Sequence, residues 1–228
     1  MPTIVFANPK GGSGKTTSSL ILASELASRG IDTGIVDADP LKWLTGWASI
    51  VAIPYITIYS DVSEANIVEL IDQASLSHKI VIVDNEGTAS QLGSYAIGMA
   101  DLVILPLQGS SMDARGASAI TANIRSQERI LRRSVQSRIL FTKTNGAIKT
   151  RSQRSIEEQL DKANIKTFKT EIVNRAAYRD IFDYGGLLQN LDPKAVSNIE
   201  KAVENAGLFA DEVILTLKAI ASEGEGGI

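Results

Sequence analysis

The chain has 228 residues, 44% of them hydrophobic, carries a net charge of −3 and contains one histidine and no cysteine. That length supports one substantial α/β core, and the lack of cysteine excludes disulfides, thiolate metal sites and iron–sulfur clusters. Weak acidity taken alone argues against nucleic acid, but the charge is uneven: residues 125–154 hold nine Lys or Arg and one acid, Glu128, giving +8 against −11 for the remainder.

An apolar run, Thr3 to Ala7, delivers the stretch Asn8 to Thr17, NPKGGSGKTT, to a helical pattern. A glycine-rich turn between a strand and a helix N-terminus aims backbone N–H groups and the positive end of the helix dipole at one point, where an anion belongs. Gly11, Gly12 and Gly14 let the backbone curl around a phosphate, Lys15 reaches the β- and γ-phosphates, and the Thr16 hydroxyl is placed to ligate Mg²⁺. This is a P-loop in which Pro9 stands where the generic pattern has its first glycine, followed by a second lysine, Lys10.

The arrangement KGGxGK[ST] is the signature of the deviant Walker A group, and the stretch resembles the ParA/MinD family of ATPases. The resemblance implies ATP/ADP and Mg²⁺ as cofactors, held by Lys10, Gly11, Gly12, Ser13, Gly14, Lys15, Thr16 and Thr17. It also implies that Lys10 crosses to the phosphates of a partner subunit, so that a homodimer forms in the ATP state and Lys10 joins Lys15 in catalysis.

Helical spacing continues through Ser28 and stops at Gly30, and the second strand, Thr33 to Val36, ends in Asp37-Ala38-Asp39-Pro40. In open parallel sheets this edge is where ligands bind. By resemblance, Asp39 supports hydrolysis and Asp37 reaches Mg²⁺ through water; the alternative is a capping pair on a surface turn. Trp43 and Trp47 follow, read as core packing, at least one of them. A third strand (Tyr55 to Ile58) and a helix (Asn66 to Ser75) carry no obvious chemical group, and His78 is read as a solvated loop residue.

Ile80 to Val83 is an unbroken β-branched run, the pattern of a central strand covered on both faces. Asp84 at its tip is the Walker B arrangement, able to hold the hydration shell of Mg²⁺. The family continues with prolines here, whereas this chain has Asn85-Glu86-Gly87-Thr88, which leaves Glu86 without an assigned role. Leu102 to Leu105, closed by Pro106, is the fifth strand, and ADLVILPLQGSSMDARGAS resembles small plasmid-partition ParA proteins. A long helix follows from about Met112 to Arg132, then a strand from Arg138 to Phe141 leading to Thr142, from whose position the family's loop approaches the adenine. Beyond lie an amphipathic helix (Ser152 to Ala163), a short strand near Thr167 to Thr170, the ParA-like NRAAYRDIFDYG (Asn174 to Gly185), a helix start at Asp192-Pro193, and a long helical apolar series.

The alternation of strands and helices predicts a doubly wound, mostly parallel sheet in one domain, residues 1–221, with a flexible tail over 222–228. No leader pattern and no bilayer-spanning run are present, so a cytoplasmic, nucleoid-associated protein without membrane attachment is expected. The resemblance implies an ATPase of DNA partition that dimerises with Mg·ATP, binds duplex DNA without sequence preference, works with a ParB-like or other adaptor, and resets by slow hydrolysis. Candidate DNA contacts are Arg129, Arg132, Arg133, Lys149, Arg151, Arg154, Arg175 and Arg179. The rival readings are a VirC-type relative acting in conjugative or T-DNA transfer, a MinD-like positioning ATPase, disfavoured by the acidic SEGEGGI terminus, and a P-loop biosynthetic enzyme.

Overall fold

A computed structural model of the chain describes residues 1–85, 90–109, 121–122, 124–129, 132, 134–146 and 148–225. Its strands are β1 (Thr3–Phe6), β2 (Thr33–Ala38), β3 (Ile56–Tyr59), β4 (Ile80–Asn85), β5 (Leu102–Gln108), β6 (Gln136–Thr144) and β7 (Ile172–Val173). They form one sheet in the order β3-β2-β4-β1-β5-β6-β7, every ladder parallel. The helices are α1 (Lys15–Ser28), α2 (Trp43–Ile50), α3 (Ile67–Ser77), α4 (Gln91–Met99), α5 (Arg151–Lys162), α6 (Ala177–Tyr184) and α7 (Ile199–Glu225). This is the doubly wound α/β architecture expected from the sequence. The expected helix from Met112 to Arg132 falls mostly outside the described residues, of which 121–122 and 124–129 are helical.

Strand alternation divides the core in two. Ile4, Phe6, Ile35, Ile82, Ile104 and Leu140 face the layer built by α1, α2, α6 and α7. Val5, Val36, Val83, Val103 and Phe141 face α3, α4 and α5. Both faces of the central strands are therefore covered, which is why they read as continuous apolar runs.

Several local expectations are corrected. Pro106 does not close β5, which runs on to Gln108. The C=O of Pro106 turns toward β1 and accepts from Asn8 Nδ2 at 2.6 Å. Pro106 has no N–H to offer on that side, and β5 continues because its other edge stays paired with β6, from Pro106–Leu140 to Gln108–Thr142. The short strand expected at Thr167 to Thr170 is a single bridge, Ile139 to Thr167, and β7 forms later. Asp192-Pro193 opens one helical turn, with Asp192 O accepting from Ala195 N and Val196 N. Asn198, left-handed at φ 56°, then breaks the path, and α7 starts at Ile199. That helix continues to Glu225, past the expected start of the tail.

His78 is not a solvated loop residue: it is 9% exposed, with Nδ1 2.9 Å from Asp32 Oδ2 and Nε2 3.0 Å from the Tyr59 hydroxyl. Its ring crowds Gly34, where a Cβ would stand 2.7 Å from His78 Cδ2. Gly34→Ala is expected to destabilise the fold by about 1–3 kcal/mol through this overpacking. Denaturant unfolding of the single and double variants checks it: in a His78→Ala background, which removes the obstacle, most of that cost should vanish.

Candidate nucleotide site

The site forms where β1 ends and α1 begins. Gly12 (φ 73°) and Gly14 (φ 103°) hold left-handed conformations that side chains resist, and a Cβ on Gly14 would press on Thr142 Oγ1 at 3.2 Å. Gly14 is also the N-cap of α1 and caps it with no side chain, which leaves the helix start open to an anion. Ser13 and Lys15 are buried, Thr16 is half-buried, and Lys10 and Gly11 lie at the exposed lip. Lys15 Nζ donates to Asn8 O at 3.1 Å, which folds the lysine back over the loop.

Side-chain donors brace this loop from the neighbouring strand tips. Thr142 Oγ1 donates to Ser13 O at 2.6 Å, Lys143 Nζ to Gly12 O at 2.9 Å, and Gln108 Nε2 to the same Gly12 carbonyl. Gln108 and Thr142 are register partners on the face of Ile104 and Leu140, an even number of residues beyond each, so alternation aims both at the loop. Lys143 by alternation belongs to the other face. The β6–β7 register slips between Thr142 and Thr144, with Lys143 at φ 53°, and such a bulge re-aims a side chain. Thr142, singled out for the adenine, thus has its hydroxyl engaged by the P-loop. Asn8, Gln108 and Lys143 were missed from the sequence, because nothing in their spacing marks them.

Asp37 and Asp84 are register partners on β2 and β4, both fully buried and both aimed at the α1 face. Adjacent strands lie about 4.8 Å apart, so the two carboxylates stand side by side. Asp37 Oδ2 accepts from Thr45 N at 2.9 Å and from Thr45 Oγ1 at 2.6 Å, fastening the start of α2. Asp39 is half-buried, and its Oδ1 accepts from Leu41 N at 2.8 Å. Both acids therefore do cap the turn, but Asp37 Oδ1 and Asp84 Oδ2 are buried without a hydrogen-bond partner.

Burial raises the Asp84 carboxyl to about 7; the Thr16 hydroxyl bond opposes this, Asp37 and Asp39 add to it, and Lys15 opposes it. Ser19 Oγ reaches the other oxygen, Asp84 Oδ1, at 3.3 Å. Orphaned carboxylate oxygens beside a threonine hydroxyl at a phosphate cradle fit Mg²⁺, which takes few protein ligands and completes its octahedron with water and phosphate oxygens. Among the described residues no cluster of three or more His, Asp or Glu could hold a metal alone.

Beside the loop a pocket of about 230 Å³ is lined by Gly14, Thr17, Thr142, Asn174, Arg175 and Tyr178, among others. It shares Lys143, Val173, Asn174 and Arg175 with a wider space of about 610 Å³ reaching Asn145 and Lys201. Tyr178 floors it, its hydroxyl donating to Ala202 O at 2.8 Å, and burial raises its pKa. Arg175, a candidate DNA contact, lies in this wall with Nε buried and without a hydrogen-bond partner.

The other basic candidates do not form one cluster. Arg129 and Arg132 precede β6 and Lys149, Arg151 and Arg154 follow it, and nine strand residues separate the groups by roughly 27 Å. Lys149 is paired with Glu157 at 2.7 Å and Glu171 at 3.0 Å, whereas Arg151, Arg154 and Arg179 are exposed. Arg133 and Glu86 lie outside the described residues. Trp47 is core, as expected of at least one tryptophan, while Trp43 is 53% exposed.

The family model described as VirC1 protein matches residues 1–219. Protein ParA of Rhizobium radiobacter is 36% identical over 211 residues, covering 92% of this chain and 95% of its own. Among solved structures, an ATP complex of McdA from Cyanothece superposes with a TM-score of 0.69 at 16% identity, covering 90% of this chain and 96% of that one. A putative plasmid partition protein from Borrelia burgdorferi bound to AMPPNP gives 0.64 at 17% identity, covering 92% and 99%.

Two outcomes are expected here. An Asp84 pKa raised above its unfolded value favours folding below about pH 4, a contribution lost as pH rises toward 7. Chemical denaturation of the nucleotide-free protein should show that loss, and Asp84→Asn, which cannot ionise, should abolish this part of the pH dependence. Thr142→Val leaves Ser13 O without its donor and is expected to weaken ATP binding by about 1–2 kcal/mol, roughly 5–30-fold, measured by calorimetric titration. Unchanged affinity would show that the brace is dispensable.

Proposed function

The chain belongs to the VirC1/ParA family of P-loop ATPases, and from that premise we propose that it is a partition-type nucleotide switch: Mg·ATP closes two subunits face to face, the dimer holds duplex DNA, and slow hydrolysis opens it. The observation that carries this reading is the pair of buried, unsatisfied carboxylate oxygens of Asp37 and Asp84 beside the braced phosphate loop. Thr16, Asp84 and Asp37 are the residues that would hold Mg²⁺, and the ion would supply charge neutralisation at the phosphates. Lys15 meets the β- and γ-phosphates, the N–H groups of residues 11–17 cradle them, and Asp39 orients the attacking water. The nucleoside fits the pocket over Tyr178, with Arg175 at its side. That solved proteins of this fold bind ATP and AMPPNP supports this ligand.

Lys10, exposed at the lip, is proposed to reach the partner's phosphates, which makes a closed dimer the active species. DNA contact is assigned to Arg129, Arg132, Arg151, Arg154 and Arg179, with the neutralised Lys149 as the weakest member. Each subunit's set is small, and closure doubles it, which multiplies affinity. An adaptor protein completes the cycle. The VirC1 family match favours one further reading, in which the cargo is DNA destined for conjugative transfer and the same switch chemistry operates.

ATP turnover with and without duplex DNA, and molecular size in ATP and in ADP, test the proposal. Dimers in ATP only, DNA binding in ATP only with a steep salt dependence, and DNA-stimulated turnover are expected; Lys10→Ala should bind ATP but remain monomeric. Equal DNA binding in both nucleotides, or none in either, would sink the switch and favour a small-molecule enzyme.

A further inference from the structure

The turn that carries Asp39 ends in a residue that breaks several local rules at once. Lys42 is the N-cap of α2 and holds a left-handed backbone, φ 52° and ψ 41°, a conformation that side chains resist and that glycine or asparagine adopts readily. Its side chain has no acceptor with which to cap the first N–H groups of the helix, and it makes no cap bond. It also sets a cation at the positive end of a helix. Unfavourable local choices that the surroundings hold in place concentrate at functional positions.

What Lys42 gains lies across the turn, where Nζ reaches back and donates to Asp37 O at 2.6 Å. The carboxylates of Asp37 and Asp39 belong to the same segment, yet Lys42 forms no ion pair among the described residues and bonds a backbone carbonyl instead. The bond therefore acts on chain geometry. Such a tie is needed there, because β3 ends at Tyr59, opposite Val36, and β2 itself ends at Ala38. Pro40 has no N–H, and the next two donors both end on Asp39: Leu41 N on Oδ1 at 2.8 Å and Lys42 N on O at 3.0 Å. Those bonds close the turn on itself without fastening it to the sheet. Thr45 fastens α2 to the Asp37 side chain, and the Lys42 ammonium fastens the turn to the main chain of β2. Asp39 is anchored through Oδ1, which leaves Oδ2 for water.

We propose that Lys42 is a positioning residue for ATP hydrolysis: its ammonium ties the turn of residues 39–42 to the end of β2 and so holds Asp39 where it orients the attacking water. This role rests on the reading of Asp39 as the group that acts on the water; the tie itself does not. Because the ammonium is bonded to the protein and not to the nucleotide, Lys42 acts on kcat and leaves ATP affinity alone.

Three variants of the full-length protein separate charge from backbone. Lys42→Met keeps the stem and removes the charge, Lys42→Gly removes the charge and relieves the left-handed backbone, and Lys42→Arg keeps the charge. In steady-state turnover, kcat of Lys42→Met and Lys42→Gly should fall by roughly ten- to a hundredfold with KM for ATP unchanged, and Lys42→Arg should recover most of the rate. In an Asp39→Ala background, Lys42→Met should cost nothing further. In the nucleotide-free proteins, amide hydrogen exchange at Leu41 and Thr45 should quicken several-fold in Lys42→Met and Lys42→Gly, stay near the wild-type rate in Lys42→Arg, and remain unchanged at Ile35 inside the sheet. Wild-type kcat or wild-type exchange in Lys42→Met overturns the proposal. So does a rate lost in Lys42→Met and regained in Lys42→Gly, which assigns the loss to backbone strain, or a raised KM at unchanged kcat, which puts the ammonium on the nucleotide. If Asp39→Ala hydrolyses ATP at the wild-type rate, the reading of Asp39 fails and the link from Lys42 to turnover with it, while the exchange rates still decide whether Lys42 ties the turn.

Discussion

The dominant constraint in this molecule is electrostatic. Two carboxylates, Asp37 and Asp84, are sealed from water at the tips of neighbouring strands. Ionised side by side at low dielectric they repel each other, and each would lose its hydration with one oxygen left unmatched. The fold meets this in part with Thr45, Thr16 and Ser19, and Asp84 responds by holding its proton up to about neutral pH. A divalent cation and its water would relieve the remainder. The same burial that makes this carboxylate pair costly is what gives a metal and its phosphates a reason to bind there.

A site that draws binding energy from buried charge must also keep its donors fixed, and here the fixing comes from strand tips. Asn8 ties β1 to β5 through Pro106 and takes the Lys15 ammonium on its own carbonyl. From the other side, Gln108, Thr142 and Lys143 hold the carbonyls of Gly12 and Ser13 outward. A peptide whose C=O is held outward presents its N–H inward, so these donors orient the amides that face a phosphate. Preorganisation of this kind avoids reorienting dipoles during the reaction.

The architecture and the phosphate loop were legible in the sequence because each rests on a short-range rule: period-two burial of apolar strands, glycine at left-handed turns, a carboxylate after a β-branched run. Long-range features were not. His78 is buried because Gly34, 44 positions earlier, leaves it room, and no local pattern announces that. Pro106 continues a strand because β6 stays paired with β5 past it, through Gln108 and Thr142. Arg175 belongs to a pocket wall rather than an outer surface because α6 packs Tyr178 beneath it. In each case the deciding neighbour is remote in sequence.

Charge density along the chain misled in the same way. The window of +8 invites the picture of one basic patch, but β6 runs through its middle and carries its two ends roughly 27 Å apart. Within it Lys143 is turned onto the P-loop, Arg138 lies over Phe168, and Lys149 is held by two carboxylates. What remains for a polyanion is two small groups of arginines at opposite ends of a strand. Each neutralises few phosphates, and affinity for duplex DNA rises steeply with the number neutralised at once. On the proposed reading, a single subunit would therefore hold duplex DNA weakly. In the proposed switch, two subunits held in fixed register would present both groups twice, so control of DNA affinity would pass from the sequence of the patch to the geometry of the dimer, and from there to the nucleotide that would hold it closed.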